Sequence, residues 1–266
     1  MPLTARLLML HPWLLFILMN VLFIGFSILL LHTVRHFGQG QMRKGHNDIV
    51  SSIFNKAGTV FGIILAFVVV ILWQEYNKSM DLALKEGTEA LELYQDLSLY
   101  PDQKQAASTM KELINFSNLV VKDEYPAVAQ MKTSPITEQA LNKLRIEVMH
   151  IDPQTRQEQI LYTKLVRDLE NLSKLRQERL ADMESSLPGI FWGALIVGVT
   201  ITMTFSILFG AENVGLHSLL ASMLAVILAT AFFLIIELDY PFTGNLSAKP
   251  KNYIKMLHSI EMKQVR

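Results

Sequence analysis

Apolar positions along the chain fall into two regimes. Four runs are almost free of charge over the length of a membrane crossing, and between the second and third lies a long stretch where apolar residues recur every three or four positions among charges. The first run, Trp13 to Leu31, at about 1.5 Å per residue crosses a hydrocarbon core of ~30 Å, with Trp13 at an interfacial position. The second runs from Ala57 to Trp73, the third from Gly189 to Phe209 and the fourth from Leu216 to Leu238. Three of them carry ladders of small residues at four-residue spacing: Gly58, Gly62 and Ala66; Ala194, Gly198, Thr202 and Ser206; Ala221, Ala225 and Ala229. Such stripes let helices approach closely, with hydroxyls bonding across the contact.

The second run has no stop signal at its exit. Ala83, Gly87, Ala90, Tyr94 and Leu97 continue its helical phase, which predicts one helix of about 40 residues or more reaching Ser98 to Pro101. Beyond it the pattern stays helical. Tyr100-Pro101-Asp102 opens a helix with Pro in its first turn, and Tyr125-Pro126 and Ser134-Pro135 break it. Thr137 to Ile151 forms a short helix, and Asp152-Pro153 starts a long one through Met183 with a leucine seam at Leu161, Leu165, Leu169, Leu172, Leu175 and Leu180. Ser185 and Pro188 recap the chain before the third run, and the short Gly210 to Gly215 link makes the last two runs a hairpin. No stretch alternates as a strand would. The expectation is an all-α membrane protein: four transmembrane helices with a helical soluble domain inserted between the second and third spans. Its segments are residues 1–73, the first pair of spans; 74–187, the domain; 188–240, the hairpin; and 241–266, a basic tail with Lys249, Lys251 and Lys255.

Composition narrows the chemistry. Of 266 residues 51% are hydrophobic, mean hydropathy is +0.30 and formal net charge is zero. A neutral chain lacks the Lys/Arg surplus that a nucleic-acid partner demands. Cysteine is absent, which excludes disulfides and thiolate sites. The first run reads as a retained anchor, because no small-residue cleavage pattern follows it, and Pro2 after Met1 rules out myristoylation. His32 and His36 stand at i, i+4, but no third ligand completes a metal site. They read as interfacial histidines after the first span, in a loop with Arg35, Arg43, Lys44 and the glycines Gly38, Gly40 and Gly45; Asn47 and Asp48 are candidate N-caps of the next helix. Lys164, Arg167, Asp168, Glu170, Lys174, Arg176, Glu178 and Arg179 alternate in sign and read as a solvated helix face. Neither a phosphate loop, a zinc-protease motif nor a nucleophile elbow is present, and no ionisable residue lies deep in a span, so no enzyme or cofactor is expected. Basic residues flanking the membrane favour a cytoplasmic domain and, with an even number of spans, cytoplasmic termini.

Two motifs resemble the bestrophin superfamily, and the whole chain is similar to its bacterial bestrophin-like members. Gly62, Val68-Val69, Trp73 and Tyr76 follow the order of the bestrophin pore helix. Asp239-Tyr240-Pro241-Phe242-Thr243-Gly244 is similar to the turn after the last bestrophin span, with Thr243 inserted. Glu89-Ala90, Arg176, Arg179, Leu187-Pro188 and Trp192 extend the likeness. The resemblance implies a pentameric ion channel of the bacterial inner membrane. Thr59, Gly62, Ile63 and Ala66 would face its axis, while Trp73, Tyr76, Asp239, Pro241, Phe242 and Gly244 would hold the structure around them. Thr59 stands where bestrophins carry a bulky apolar residue. Asn245 to Lys249 replace the acidic calcium clasp, so calcium control is not implied. Two functions remain open: a channel that could close by dewetting at Ile63 or Phe67, and a non-conducting scaffold or sensor whose second helix couples bundle and domain.

Overall fold

The computed structural model describes residues 7–37, 47–183, 186–208, 213–244 and 246–264. The first loop with Gly38, Gly40, Arg43, Lys44 and Gly45, the cap at Ser185, Phe209, the first half of the Gly210 to Gly215 link, and Asn245 lie outside the described residues, as do the side chains of Asn47 and Asp48. Among the described residues the chain is helical, with no strand: α1 Pro12–Phe37, α2 Asn47–Leu99, α3 Gln103–Leu119, a π-helical turn Val120–Glu124, α4 Tyr125–Val128, α5 Pro135–Met149, α6 Arg156–Asp182, α7 Gly189–Ile207, α8 Val214–Asp239 and α9 Lys251–Gln264. Among the described residues four helices are long and apolar enough to cross a membrane: Pro12–His36, Val50–Leu99, Gly189–Ile207 and Val214–Asp239. The protein is an integral membrane protein.

The chain divides into two units, residues 2–75 with 186–239, and residues 76–185 with 240–266. Helix α2 contributes to both without a break and has 53 residues, about 80 Å at 1.5 Å per residue.

In the membrane unit α1 packs along α8. The ladder Ala221, Ala225 and Ala229 is buried, and Ser27 Oγ donates to Ala221 O at 3.4 Å. Phe16 meets Phe233 edge-on, with centroids 5.3 Å apart, and Phe23 meets Phe232 at the same distance. Gly198 on α7 makes room for α2, since a Cβ there would overlap the Phe61 ring. The other hydroxyls of that stripe do not bridge helices as expected. Thr202 bonds Gly198 O and Ser206 bonds Met203 O, within their own helix, which satisfies the hydroxyl without a partner span. Pro188 stands just before α7 rather than in its first turn.

In the second unit several boundaries differ from those expected. Asp102 is the N-cap of α3, accepting from the amides of Lys104 and Gln105, so Pro101 precedes the helix. Tyr125-Pro126 does not end the helical path: the wider π turn absorbs the proline, which has no N–H to return, and α4 follows directly. At Ser134-Pro135 the expected break is present, with Ser134 capping Thr137 N. Helix α6 starts at Thr155, not at Asp152-Pro153. Thr155 and Glu158 form a reciprocal capping box, which satisfies two amide donors where Asp152 would satisfy one. The basic tail folds as α9, burying Tyr253, Met256 and Ile260 among Leu93, Leu97, Leu113 and Phe116.

Candidate functional site

The membrane half of α2 uses one stripe for packing. Phe61, Leu65, Val68 and Leu72, at steps of four, three and four, are buried. Thr59, Gly62, Ile63 and Ala66 share a different face and are exposed, with Ile63 at 51%. Among the described residues a Cβ placed on Gly58 or Gly62 would meet no atom within 4 Å, so this small ladder accommodates no neighbour there. Thr59 spends its hydroxyl on Asn55 O at 2.7 Å, leaving its methyl on the exposed side. Phe67 is exposed as well.

At the end of the apolar stretch, Trp73 is exposed while the Tyr76 hydroxyl donates to Leu246 O at 2.7 Å. That carbonyl follows the turn built from Tyr240 to Gly244. Thr243 N donates to Tyr240 O and Ala248 N to Pro241 O, which closes the turn from both sides. Phe242 is buried in the core of the second unit and Thr243 Oγ1 donates to Ala129 O. Gly244 has φ 85°, a left-handed conformation that costs other residues a Cβ clash. Asp239, buried, accepts from Leu187 N at 2.6 Å and from Trp192; it thereby holds the entry of α7 to the exit of α8.

The least expected feature is a buried ionic chain. Arg179, with no exposed surface, bonds Glu86 on α2 and Glu124 in the π turn. Arg176 bonds Glu124 through Nε at 2.9 Å and Nη2 at 2.5 Å, and Glu138 on α5 at 2.5 Å. Tyr253 of α9 donates to Glu86 at 3.0 Å, and the Arg179 guanidinium lies 4.6 Å over the Tyr125 ring. Burial opposes both arginine charges, yet their carboxylate partners outweigh it and hold both protonated. Burial also pushes Tyr125 and Tyr253 upward, so both phenols stay neutral. Two arginines against Glu86 and Glu124 balance the buried charge, which is what makes the chain tolerable. Arg176, Arg179 and Asp168 are therefore not part of a solvated face. Steps of three and four from Leu165 through Leu169 and Leu172 land on Arg176 and Arg179, so the α6 seam turns ionic; it was this phase, not the charge count, that marked them.

His32 and His36 are exposed, and no group of metal-binding residues occurs among the described residues. Below the first span's end, Arg35 Nη2 meets His217 Nδ1 at 3.2 Å, tying α1 to α8.

Compared with known proteins, the Bestrophin-like domain profile matches residues 21–253. The chain belongs to the bestrophin-like family. Its fold is similar to crystal structures of a bacterial bestrophin homologue from Klebsiella pneumoniae. The zinc-phased structure aligns with TM-score 0.64 at 15% identity over 92% of this chain and 95% of that one. Two point-mutant forms give TM-scores of 0.65 and 0.66, each at 15% identity, covering 92% and 93% of this chain and 96% and 94% of theirs. No curated protein matches. The bestrophin-like fold thus fits both the four spans and the helical second unit.

Proposed function

We propose that this bestrophin-like protein is an ion channel of the bacterial inner membrane, formed by a homo-oligomeric ring, five-fold by family resemblance. Helix α2 lines the pore with Thr59, Gly62, Ile63 and Ala66. The observation that carries this reading is the exposed small-residue face of α2, opposite a packed stripe, on a helix that runs uninterrupted into the second unit. A ring of such faces would give a narrow, weakly polar passage whose tightest level is set by Ile63, where water is excluded most readily. The 74–187 segment then lies in the cytoplasm with both termini, the pore is flanked by lipid, and the permeant partners are inorganic ions. No catalytic group or cofactor takes part.

Purified protein tests the reading in two steps. Detergent-corrected mass must give a ring of identical chains, and planar bilayers must show currents that change when Ile63 is replaced by Ala. A monomer, or a ring silent in every salt and at every voltage, supports the scaffold instead.

A further inference from the structure

A second acidic contact lies in the same unit, away from the arginine chain. Near the end of α2, Asp96 is buried and its Oδ2 is 2.6 Å from Lys164 Nζ on α6. Asp168, one turn beyond Lys164, is buried too, with its side chain 4% exposed. Its Oδ2 lies 4.0 Å from the same ammonium, beyond hydrogen-bond range, and has no hydrogen-bond donor. Its Oδ1 is 3.7 Å from Arg167 Nε, again too far for a bond, and the Arg167 side chain is exposed. Asp96 and Asp168 thus converge on one ammonium, their Oδ2 atoms 2.6 and 4.0 Å from Lys164 Nζ, which brings the two buried acids side by side. Glu92, on α2 one turn before Asp96, adds further negative charge next to Lys164, and Glu89 faces Arg167 and Lys164.

Two carboxylates cannot bond each other without a proton, and the cations nearest Asp168, Lys164 at 4.0 Å and the exposed Arg167 at 3.7 Å, both stand outside hydrogen-bond range of it. We infer that Asp168 is a protonated acid that donates to the Asp96 carboxylate, itself paired with Lys164, and that this proton latches the end of α2 to α6. The latch is a proton-binding site, open to control by the pH of the surrounding compartment. Burial first, then the neighbouring Asp96, pushes Asp168 up to about 6, against the usual acid range near 3.8. In the unfolded or opened chain the proton leaves at the lower value. The latch therefore contributes fully below about pH 4 and is lost as pH rises through about 6.

Asp168→Asn keeps the shape and a donor N–H but cannot lose a proton. Full-length wild type and variant, in the same lipid discs, are compared by hydrogen exchange of peptides covering 90–99 and 160–172 from pH 4.5 to 8, corrected for intrinsic rates. The two should differ least at pH 4.5. From there to pH 7.5 wild type should lose protection by at least tenfold relative to the variant, the loss levelling off above about pH 6. Infrared spectra should also show a protonated carboxyl band at pH 5 that weakens through the same range and is missing in the variant. A difference between the proteins that does not vary with pH, or no such band, overturns the latch. Neither readout requires ion conduction, so the result stands apart from the channel reading.

Discussion

Replacing Arg179 by Met tests the buried ionic chain most severely. Met fills much of the same volume and removes the charge. Glu124 keeps Arg176, which holds it through Nε and Nη2. Glu86 keeps only the Tyr253 hydroxyl at 3.0 Å, so one carboxylate is left buried without a cation. Removing one partner of a buried pair costs about 3–5 kcal/mol. Amides that exchange only through opening of the second unit should then speed up by about two to four powers of ten, since each factor of ten corresponds to about 1.4 kcal/mol. The assay is hydrogen exchange of peptides within 76–185 and 246–264 in lipid discs. Adding Glu86→Gln to Arg179→Met removes the orphaned charge and should restore most of the lost protection. The exposed Lys85–Asp81 pair serves as a control whose loss changes exchange little. If Arg179→Met slows or barely alters exchange, or if the double variant is as damaged as the sum of its parts, the ionic chain does not hold this unit together.

Three further substitutions follow from local geometry. Gly198→Val drives a Cβ into the Phe61 ring and should lower membrane-unit stability by about 1–3 kcal/mol in thermal unfolding followed by tryptophan fluorescence; adding Phe61→Ala should return part of it. Thr155→Ala removes half of the α6 capping box and should cost about 1 kcal/mol, seen as faster exchange confined to the first turn of α6. Gly244→Ala, at φ 85°, should cost about 1 kcal/mol and loosen the Ala248–Pro241 bond, whereas Gly244→Asn should cost less.

Much of the architecture is legible in local signals. Apolar runs without charge mark the four spans because a lipid-facing helix leaves no room for ions, and the unbroken phase from Gly58 through Leu97 foretells the length of α2. The turn at Pro241-Phe242 and the cap at Ser134 are equally local. What escapes local reading depends on partners far along the chain. Glu86, Glu124 and Tyr253 are unremarkable one by one, and their roles appear only when α2, the π turn, α6 and α9 converge. A count of alternating charges places Arg176 and Arg179 in solvent; the seam they continue places them inside. Tyr125-Pro126 reads as a stop because proline normally denies a helix its bond, and only a widened turn lets the path go on. The small ladders share one pattern in three spans, yet Ala221 to Ala229 packs on α1, Gly198 receives Phe61, and Gly62 receives nothing among the described residues. Sequence spacing cannot separate those outcomes, because the difference lies in which helix faces them.

The absence of cysteine makes the decisive measurement clean, since one introduced thiol is the only reactive one in the chain. Cysteine is placed singly at Thr59, Gly62, Ile63 and Ala66, and for comparison at the buried Phe61 and Leu65. Each protein is reconstituted in a planar bilayer and exposed to a charged, water-soluble thiol reagent. Current through the first four should be reduced or abolished on modification, most strongly at Ile63, while Phe61 and Leu65 variants do not react. Modification at those four positions without any change in current, or reaction only at positions on the packed stripe, would contradict a pore lined by this face of α2.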